Sequence, residues 1–167
     1  MNTISQTYEI AATPARVWRA LTDPKMIRQW SDADADFSLE PGALYSLWDG
    51  SIGGEIVAVV PRKKLVQTWK PDNWTIENSV VTFTLTPIAQ GTRVDLVHEN
   101  VEDWDFEGTS AGWDEYYLGA IKRMLEAKPA KPRITKSAKN AKIAKRATPK
   151  KRATKKVARK KVSRVRA

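Results

Sequence analysis

The residue best suited to acid–base chemistry in this 167-residue chain is His98, its single histidine. An imidazole changes charge near neutral pH, so a histidine that faces a pocket can donate, accept or transfer a proton. His98 shares its parity with Val94 and Leu96 in an alternating segment, which predicts a place on the inner face of a strand. Asp95 and Glu99 have the opposite parity, so a carboxylate that orients His98 would have to come from another element.

Two interpretations of His98 follow. A lone histidine in a strand is more often a structural residue with satisfied hydrogen bonds, and that interpretation is favoured here. The alternative is an enzyme in which His98 acts in a cavity with a carboxylate or a tyrosine such as Tyr116. Sequence order supplies no Ser–His–Asp triad. We therefore expect no catalytic residues and a non-enzymatic protein.

Aromatic side chains supply broad apolar surfaces with polar edges, as expected of a pocket for a planar or apolar ligand. With neighbouring residues of the predicted sheet and helix they form a candidate cavity set: Trp48, Trp69, Phe83, Leu96, His98, Trp113, Tyr116, Tyr117 and Met124. The same residues would also make an ordinary core, the favoured interpretation for Trp69 and Trp113. Tyr116 and Tyr117 are adjacent, so we expect one of them to border a cavity mouth.

Three alternating aspartates, Asp32, Asp34 and Asp36, resemble the start of a calcium-binding loop. The pattern then fails, because Phe37 stands where such a loop needs Gly and Ala43 where it needs a bidentate Glu. A solvated surface run is the favoured interpretation. The chain also has no cysteine, which excludes disulfides and thiolate metal sites. No metal and no cofactor is predicted.

Charge divides the chain into two parts. Residues 128–167 hold eighteen of the 29 Lys and Arg and no Asp or Glu, which leaves eleven basic and all 19 acidic residues in 1–127, a net charge of about −8. All seven Trp lie in 1–127, so apolar burial must be confined there. We predict one domain over 1–127 and a disordered Lys/Arg/Ala-rich tail over 128–167.

The tail is predicted to bind nucleic acid through the phosphate backbone without sequence preference, because it has no aromatic side chain to stack on bases. Its composition resembles the lysine-alanine-proline tails of linker histones. The candidate contacts are its cations: Lys136, Lys139, Lys142, Lys145, Arg146, Lys150, Lys151, Arg152, Lys155, Lys156, Arg159, Lys160 and Lys161. A merely solvating tail is the main alternative, and binding to anionic lipid is a lesser one.

An acidic stretch around Trp104 contains Glu102, Asp103, Asp105 and Glu107. Its favoured interpretation is an exposed loop. The alternative is an intramolecular docking surface for the tail, because a domain of about −8 attracts a segment that carries eighteen basic residues.

Targeting signals are weak. Residues 1–13 do not read as a signal peptide, and no apolar run approaches the ~20 residues that a membrane span needs. A cytoplasmic location is expected, with nucleoid association in a bacterium. The clusters Lys145-Arg146 and 149–152 would suit nuclear targeting in a cell with a nucleus.

The elements that position these residues can be read from periodicity and turn chemistry. A strand over 4–11 precedes two short helices, which begin at the Thr13-Pro14 and Asp23-Pro24 pairs. Short β-branched and aromatic segments then predict strands over 37–40, 43–48, 54–60, 64–70, 76–86 and 92–100. Residues 108–127 have helical spacing and predict the longest helix. The expected fold is α+β: one curved antiparallel sheet around a long C-terminal helix, with a cavity between them.

Several motifs in this order resemble the START-like helix-grip (SRPBCC) superfamily, and within it the domain shared with activators of the heat-shock protein 90 ATPase. They are the Thr13-Pro14 helix, the Pro41-Gly42 turn, the runs 54–59 and 61–66 with Trp69 after them, the run 91–94, and the Gly112-Trp113 pair of the last helix. The resemblance covers about residues 3–127. It implies a helix-grip fold that can enclose a hydrophobic ligand, and it leaves function open.

Together these observations predict a binding protein with a cavity for an apolar small molecule and a basic tail for nucleic acid. Two alternatives are retained. One is the enzyme that acts through His98, and the other, which comes from the resemblance, is a co-chaperone that stimulates the heat-shock protein 90 ATPase.

Overall fold

The computed structural model describes residues 2–127. The first strand, β1 (Asn2–Ile10), is followed by two short helices, α1 (Pro14–Thr22) and α2 (Pro24–Ser31). The predicted caps are confirmed: the Thr13 hydroxyl accepts a hydrogen bond from the Arg16 amide, and the Asp23 carboxylate accepts one from the Lys25 amide. Each helix has Pro at its first position, where no intrahelical N–H bond is needed. Val17, Leu21 and other apolar side chains of this layer are buried.

One antiparallel sheet forms the other layer. After β1 come β2 (Leu44–Leu47), β3 (Ile52–Val60), β4 (Lys64–Thr68), β5 (Lys70–Pro71), β6 (Val80–Ile88) and β7 (Gly91–Val101). The strand order is β1-β7-β6-β4-β3-β2, and the short β5 pairs with β3. The predicted alternation is confirmed, since Val81, Phe83 and Leu85 on β6 are buried. Val94 and Leu96 on β7 are buried with them, so this face of the sheet is the one that meets the helices.

One predicted strand, 37–40, is wrong, and the predicted strand 76–86 is confirmed only from Val80 onward. Residues 37–40 form no strand, and beside them only a single bridge joins Asp36 to Ser46. Residues 76–79 are also not a strand. There the Glu102 carboxylate accepts hydrogen bonds from the Thr75 and Ile76 amides, so a side chain satisfies donors that a neighbouring strand would otherwise satisfy.

The long helix occupies 106–126 and begins after a 3₁₀ turn, Asp103–Asp105. It is not a uniform α-helix. An α-helical part, α3 (Phe106–Gly112), leads into a π-helical turn, Trp113–Tyr117, and then into α4 (Leu118–Glu126), which packs on α1, α2 and β1. The π turn depends on Gly119, because a Cβ at that position would overlap the Asp114 carbonyl oxygen. The Arg123 guanidinium donates to the Glu115 carbonyl oxygen within this wider turn.

Candidate functional site

A cavity of about 400 Å³ lies where the start of the long helix meets β3, β5 and the turn after β2. Five of its eleven lining residues are aromatic, and Asp105 provides a carboxylate on the wall. The lining residues are Trp48, Ile52, Trp69, Pro71, Asp105, Gly108, Thr109, Gly112, Trp113, Tyr116 and Tyr117. A mainly apolar concave space with few polar groups is the usual character of a small-molecule site.

The sheet side of the wall is held by tight local structure. Trp48 follows β2 with a left-handed backbone (φ +49°), and its ring packs edge-on against Trp30 with centroids 5.7 Å apart. Trp69 follows β4, and its amide donates to the Ser79 carbonyl oxygen at 2.9 Å. The two rings therefore have positions fixed by a turn and by a backbone hydrogen bond.

The helix side of the wall comes from the π turn. Within five residues, this turn places Trp113, Tyr116 and Tyr117 on the cavity. Trp113 packs on Trp69 at 4.6 Å between centroids, and Tyr117 stacks on Phe83 at 5.6 Å. Tyr117 is buried and Tyr116 is 60% exposed. One tyrosine of the pair thus closes the interior, whereas the other borders the opening.

Asp105 forms a polar corner of the wall. Its Oδ2 accepts hydrogen bonds from Trp74 Nε1 at 2.8 Å and from the Thr109 hydroxyl at 3.1 Å. Trp74 is buried and lies over the His98 ring, with centroids 5.7 Å apart and an interplanar angle of 13°. The carboxylate therefore connects the long helix to the segment between β5 and β6.

Two buried side chains, Tyr117 on the cavity wall and Gln67, carry polar atoms without hydrogen-bond partners within residues 2–127. The Tyr117 hydroxyl and both polar atoms of the Gln67 amide have no partner there. Burial raises the pKa of Tyr117 above its ordinary value. Burial likewise raises the pKa of the neighbouring Tyr45, whose hydroxyl donates to the Thr68 carbonyl oxygen at 2.5 Å. These hydroxyls are neutral at any physiological pH.

His98 is fully buried, and its ring nitrogens are both occupied. Nδ1 accepts a hydrogen bond from Trp113 Nε1 at 3.1 Å. An indole N–H can only donate, so Nδ1 carries no proton and Nε2 must be the protonated nitrogen. Nε2 lies 2.7 Å from the Ser79 hydroxyl, which in turn donates to the Glu99 carbonyl oxygen at 3.3 Å.

We call His98 with Ser79, Trp69, Trp74 and Trp113 the His98 cage. Burial lowers the pKa of His98 from 6.5 to about 3, so the ring is neutral near pH 7. With both nitrogens bound and no place on the cavity wall, His98 is a structural residue in this geometry. Its hydrogen-bond partners among residues 2–127 are Ser79 and Trp113, and Tyr116, the catalytic partner considered for it, is not one of them.

The structure separates the candidate cavity residues into two groups. Those that line the cavity are Trp48, Trp69, Trp113, Tyr116 and Tyr117. The other four, Phe83, Leu96, His98 and Met124, are not on its wall: the first three are fully buried in the core, and Met124 packs at the edge of the core.

Sequence reasoning missed part of the wall. Gly108 and Gly112 lie one turn apart on the long helix and leave space beside it, a spacing that could have been read from the sequence. Asp105 was assigned to an exposed acidic stretch. No pattern in the sequence indicated that Trp74 would fold inward and donate to it.

The acidic stretch itself is not an exposed loop throughout. Glu102 is buried, and its Oε1 accepts hydrogen bonds from the Thr75 hydroxyl at 2.6 Å and the Thr75 amide at 2.7 Å, which lower its pKa. Asp105 is engaged by Trp74 and Thr109. Asp103 and Glu107 are exposed, and the tail that was predicted to dock on this stretch lies outside the described residues.

The remaining predictions concern other features. The candidate nucleic-acid contacts and the targeting clusters of 128–167 lie outside the described residues. Within residues 2–127, no three His, Asp or Glu side chains group in a way that could hold a metal ion. No helix in that part of the chain is long and apolar enough to cross a membrane. Asp34 pairs with Arg28 at 3.2 Å, and Asp36 is exposed.

The family model described as "Activator of Hsp90 ATPase homolog 1-like protein" matches residues 11–126. An activator of 90 kDa heat shock protein ATPase homolog from Dictyostelium discoideum is 32% identical over 119 residues, 68% of this chain and 30% of that protein. The Homo sapiens homolog 1 is 28% identical over 123 residues, 72% of this chain and 36% of that protein. The chain thus spans about a third of the length of these curated relatives.

Solved structures with a similar fold include relatives of the same kind. A crystal structure of an HSP90 activator from Plasmodium falciparum superposes with a TM-score of 0.68 at 26% identity, over 74% of this chain and 95% of that chain. A protein from Mesorhizobium loti gives a TM-score of 0.66 at 29% identity, over 74% of this chain and 96% of that one. With the family match over 11–126, these likenesses show that the chain belongs to the activator of Hsp90 ATPase homolog 1-like family and has its helix-grip fold.

Proposed function

We propose that the domain binds an apolar small molecule in the cavity beside the π turn. The observation that supports this most strongly is a wall of five aromatic rings around about 400 Å³ of space, within the ~300–1,000 Å³ range of ligand pockets. Protein interiors normally fill such space with side chains. Here Gly108 and Gly112 leave it open.

The rings of the wall pack against one another. Trp69, Trp113 and Tyr117 contact one another with centroids 4.6 to 5.9 Å apart, so little side-chain freedom remains to be lost on binding. Mostly apolar walls bind water weakly. An apolar ligand in the cavity would therefore gain van der Waals contacts with side chains that otherwise border open space. Tyr116 lines the cavity and is 60% exposed, so the cavity opens to solvent beside this ring.

Gly112 allows a direct test. Its backbone is helical, and a Cβ there would meet nothing within 4 Å, so an added side chain starts in open space at a position that lines the cavity. The neutral fluorescent probe N-phenyl-1-naphthylamine is titrated into wild type, Gly112→Leu and the control Gly112→Ala. We expect binding at least tenfold weaker for Gly112→Leu and within about twofold of wild type for Gly112→Ala. Equal binding to all three, or no binding to wild type, would overturn the proposal.

For residues 128–167 we propose binding to the phosphate backbone of DNA or RNA. The support is the sequence alone, eighteen cations with no acidic residue. If about eight cations engage phosphates, log affinity falls with log salt at a slope near −7. Electrophoretic mobility of a duplex with the full chain and with a variant that ends at residue 127 tests this across a salt series. Equal retardation by the two proteins would remove the claim.

A co-chaperone role is a second candidate for the domain. The observation that favours it is that a solved protein matched over 95% of its length carries the description of an HSP90 activator. The test is ATP turnover by the Hsp90-type chaperone of the same cell, with and without the purified chain. A reproducible increase would support the role, and unchanged turnover at saturating protein would exclude it.

A further inference from the structure

The cavity wall has an uneven charge distribution. Asp105 is a carboxylate on the wall, and the described lining residues include no Lys, Arg or His. Asp103 and Glu107, its exposed acidic neighbours in the chain, do not line the cavity. The single charged side chain among the described lining residues is therefore negative, in keeping with the net charge of about −8 on 1–127.

One oxygen of Asp105 is held and the other is available. Both hydrogen bonds, from Trp74 Nε1 and the Thr109 hydroxyl, go to Oδ2, and no donor among residues 2–127 binds Oδ1. Gly108 leaves room for that oxygen, since a Cβ at Gly108 would lie 2.7 Å from Oδ1. The carboxylate is thus fixed in orientation and retains an oxygen that can accept a further hydrogen bond or pair with a cation.

The rest of the wall suits a positive charge. Trp and Tyr faces attract an ammonium group through the ring quadrupole, and the attraction grows where water is excluded. A neutral ligand would cover the carboxylate without pairing it, and an anion would be repelled by it. Aromatic rings around a fixed carboxylate therefore discriminate in favour of cations.

We infer that the cavity selects small organic cations, an ammonium group on an apolar body, over neutral or anionic molecules of similar shape. This inference rests on the proposed binding function and narrows its ligand class. Within the ligand, the apolar body would lie against Trp69 and Trp113 and the ammonium group would lie near Asp105.

The experiment compares three probes on the full chain at fixed salt: benzyltrimethylammonium, its neutral carbon isostere neopentylbenzene, and the anion phenylacetate. Tryptophan fluorescence excited at 295 nm reports binding, because all Trp lie in 1–127. For wild type we expect the ammonium probe to bind at least tenfold more tightly than the isostere, and phenylacetate to bind least. The ratio of the two affinities is measured on the wild-type protein, so it can be obtained even if substitutions at Asp105 impair folding.

Two matched variants locate the effect. Asp105→Asn keeps an acceptor for Trp74 and Thr109 but removes the charge, whereas Asp103→Asn removes an exposed charge outside the cavity. We expect about tenfold weaker ammonium binding for Asp105→Asn, with binding of the isostere within twofold, and little change for Asp103→Asn. If the isostere matches the ammonium probe in wild type, the cation inference is wrong while the cavity still binds. If neither the isostere nor N-phenyl-1-naphthylamine binds, the proposed binding function itself is wrong, and the cation inference that rests on it is wrong with it.

Discussion

The His98 cage and the cavity wall are neighbouring regions built from the same residue types, and Trp69 and Trp113 belong to both. In the cage, each polar atom of the imidazole has a partner and the three Trp rings close around it. At the wall, rings border open space, and the Tyr117 hydroxyl has no partner in 2–127. Residue type alone thus does not separate a packed region from one that borders open space, whereas the cavity and the satisfied hydrogen bonds do.

The largest expected effect concerns the π turn that shapes the wall. In Gly119→Ala, the added methyl group overlaps the Asp114 carbonyl oxygen, so the turn must rearrange. We expect a loss of about 3 kcal/mol or more in the free energy of unfolding, measured in urea. Gly112→Ala is the matched control, because its Cβ meets nothing within 4 Å, and it should gain about 0.5 to 1 kcal/mol. Equal stability of the two variants would show that the π turn is not required.

The next largest effect is the pH dependence of the stability that the His98 cage contributes. Burial holds the folded-state pKa of His98 at about 3, below the unfolded value of 6.5, so its stabilising contribution is present above pH 6.5 and is lost as pH falls toward 3. Between pH 7 and 5, where the carboxylates are still ionised, the free energy of unfolding should fall by about 2 kcal/mol.

His98→Asn is the control for that pH dependence, because its amide can still accept from Trp113 but does not titrate. Urea unfolding at pH 7, 6 and 5 should give a nearly flat profile for this variant and a falling one for wild type. Parallel profiles would mean that His98 is not held neutral by burial.

The smallest effect comes from single hydroxyl deletions of opposite expected sign. Ser79→Ala leaves the buried Nε2–H of His98 without its partner and should cost about 1 kcal/mol. Tyr117→Phe removes a buried hydroxyl that has no partner in 2–127, so it should be neutral or stabilising by up to about 1 kcal/mol. Thermal unfolding of the two variants measures both changes in stability. Equal losses of stability would show that the His98 cage and the cavity wall do not differ in this way.

Much of the fold could be predicted because its signals are local. Thr13-Pro14 and Asp23-Pro24 mark two helix starts, and the alternation on β6 and β7 assigns the buried face without knowledge of the partners. Residues 76–79 could not be assigned correctly, because Glu102 satisfies the Thr75 and Ile76 amides from 26 or more residues away. A side chain that takes the place of a strand partner from a distant position leaves no periodic signal in the sequence.

The site was only partly predictable for a related reason. Strand parity gave the inner face for His98 but could not tell that it lies off the cavity wall, and helical spacing could not tell which tyrosine of the pair 116 and 117 borders the opening, because the π turn changes the helical period there. The role of Asp105 depends on Trp74 turning inward, a contact across 31 positions. The sequence therefore indicated the components of a cavity but not which of them face it.

The most direct test of the binding site is the set of intermolecular nuclear Overhauser effects from bound N-phenyl-1-naphthylamine to the protein. The structure predicts contacts from the probe to the rings of Trp48, Tyr116 and Tyr117, and none to the ring protons of His98. Contacts confined to an exposed apolar patch, such as Val57 and Val60 on β3, would place the ligand elsewhere and contradict the account.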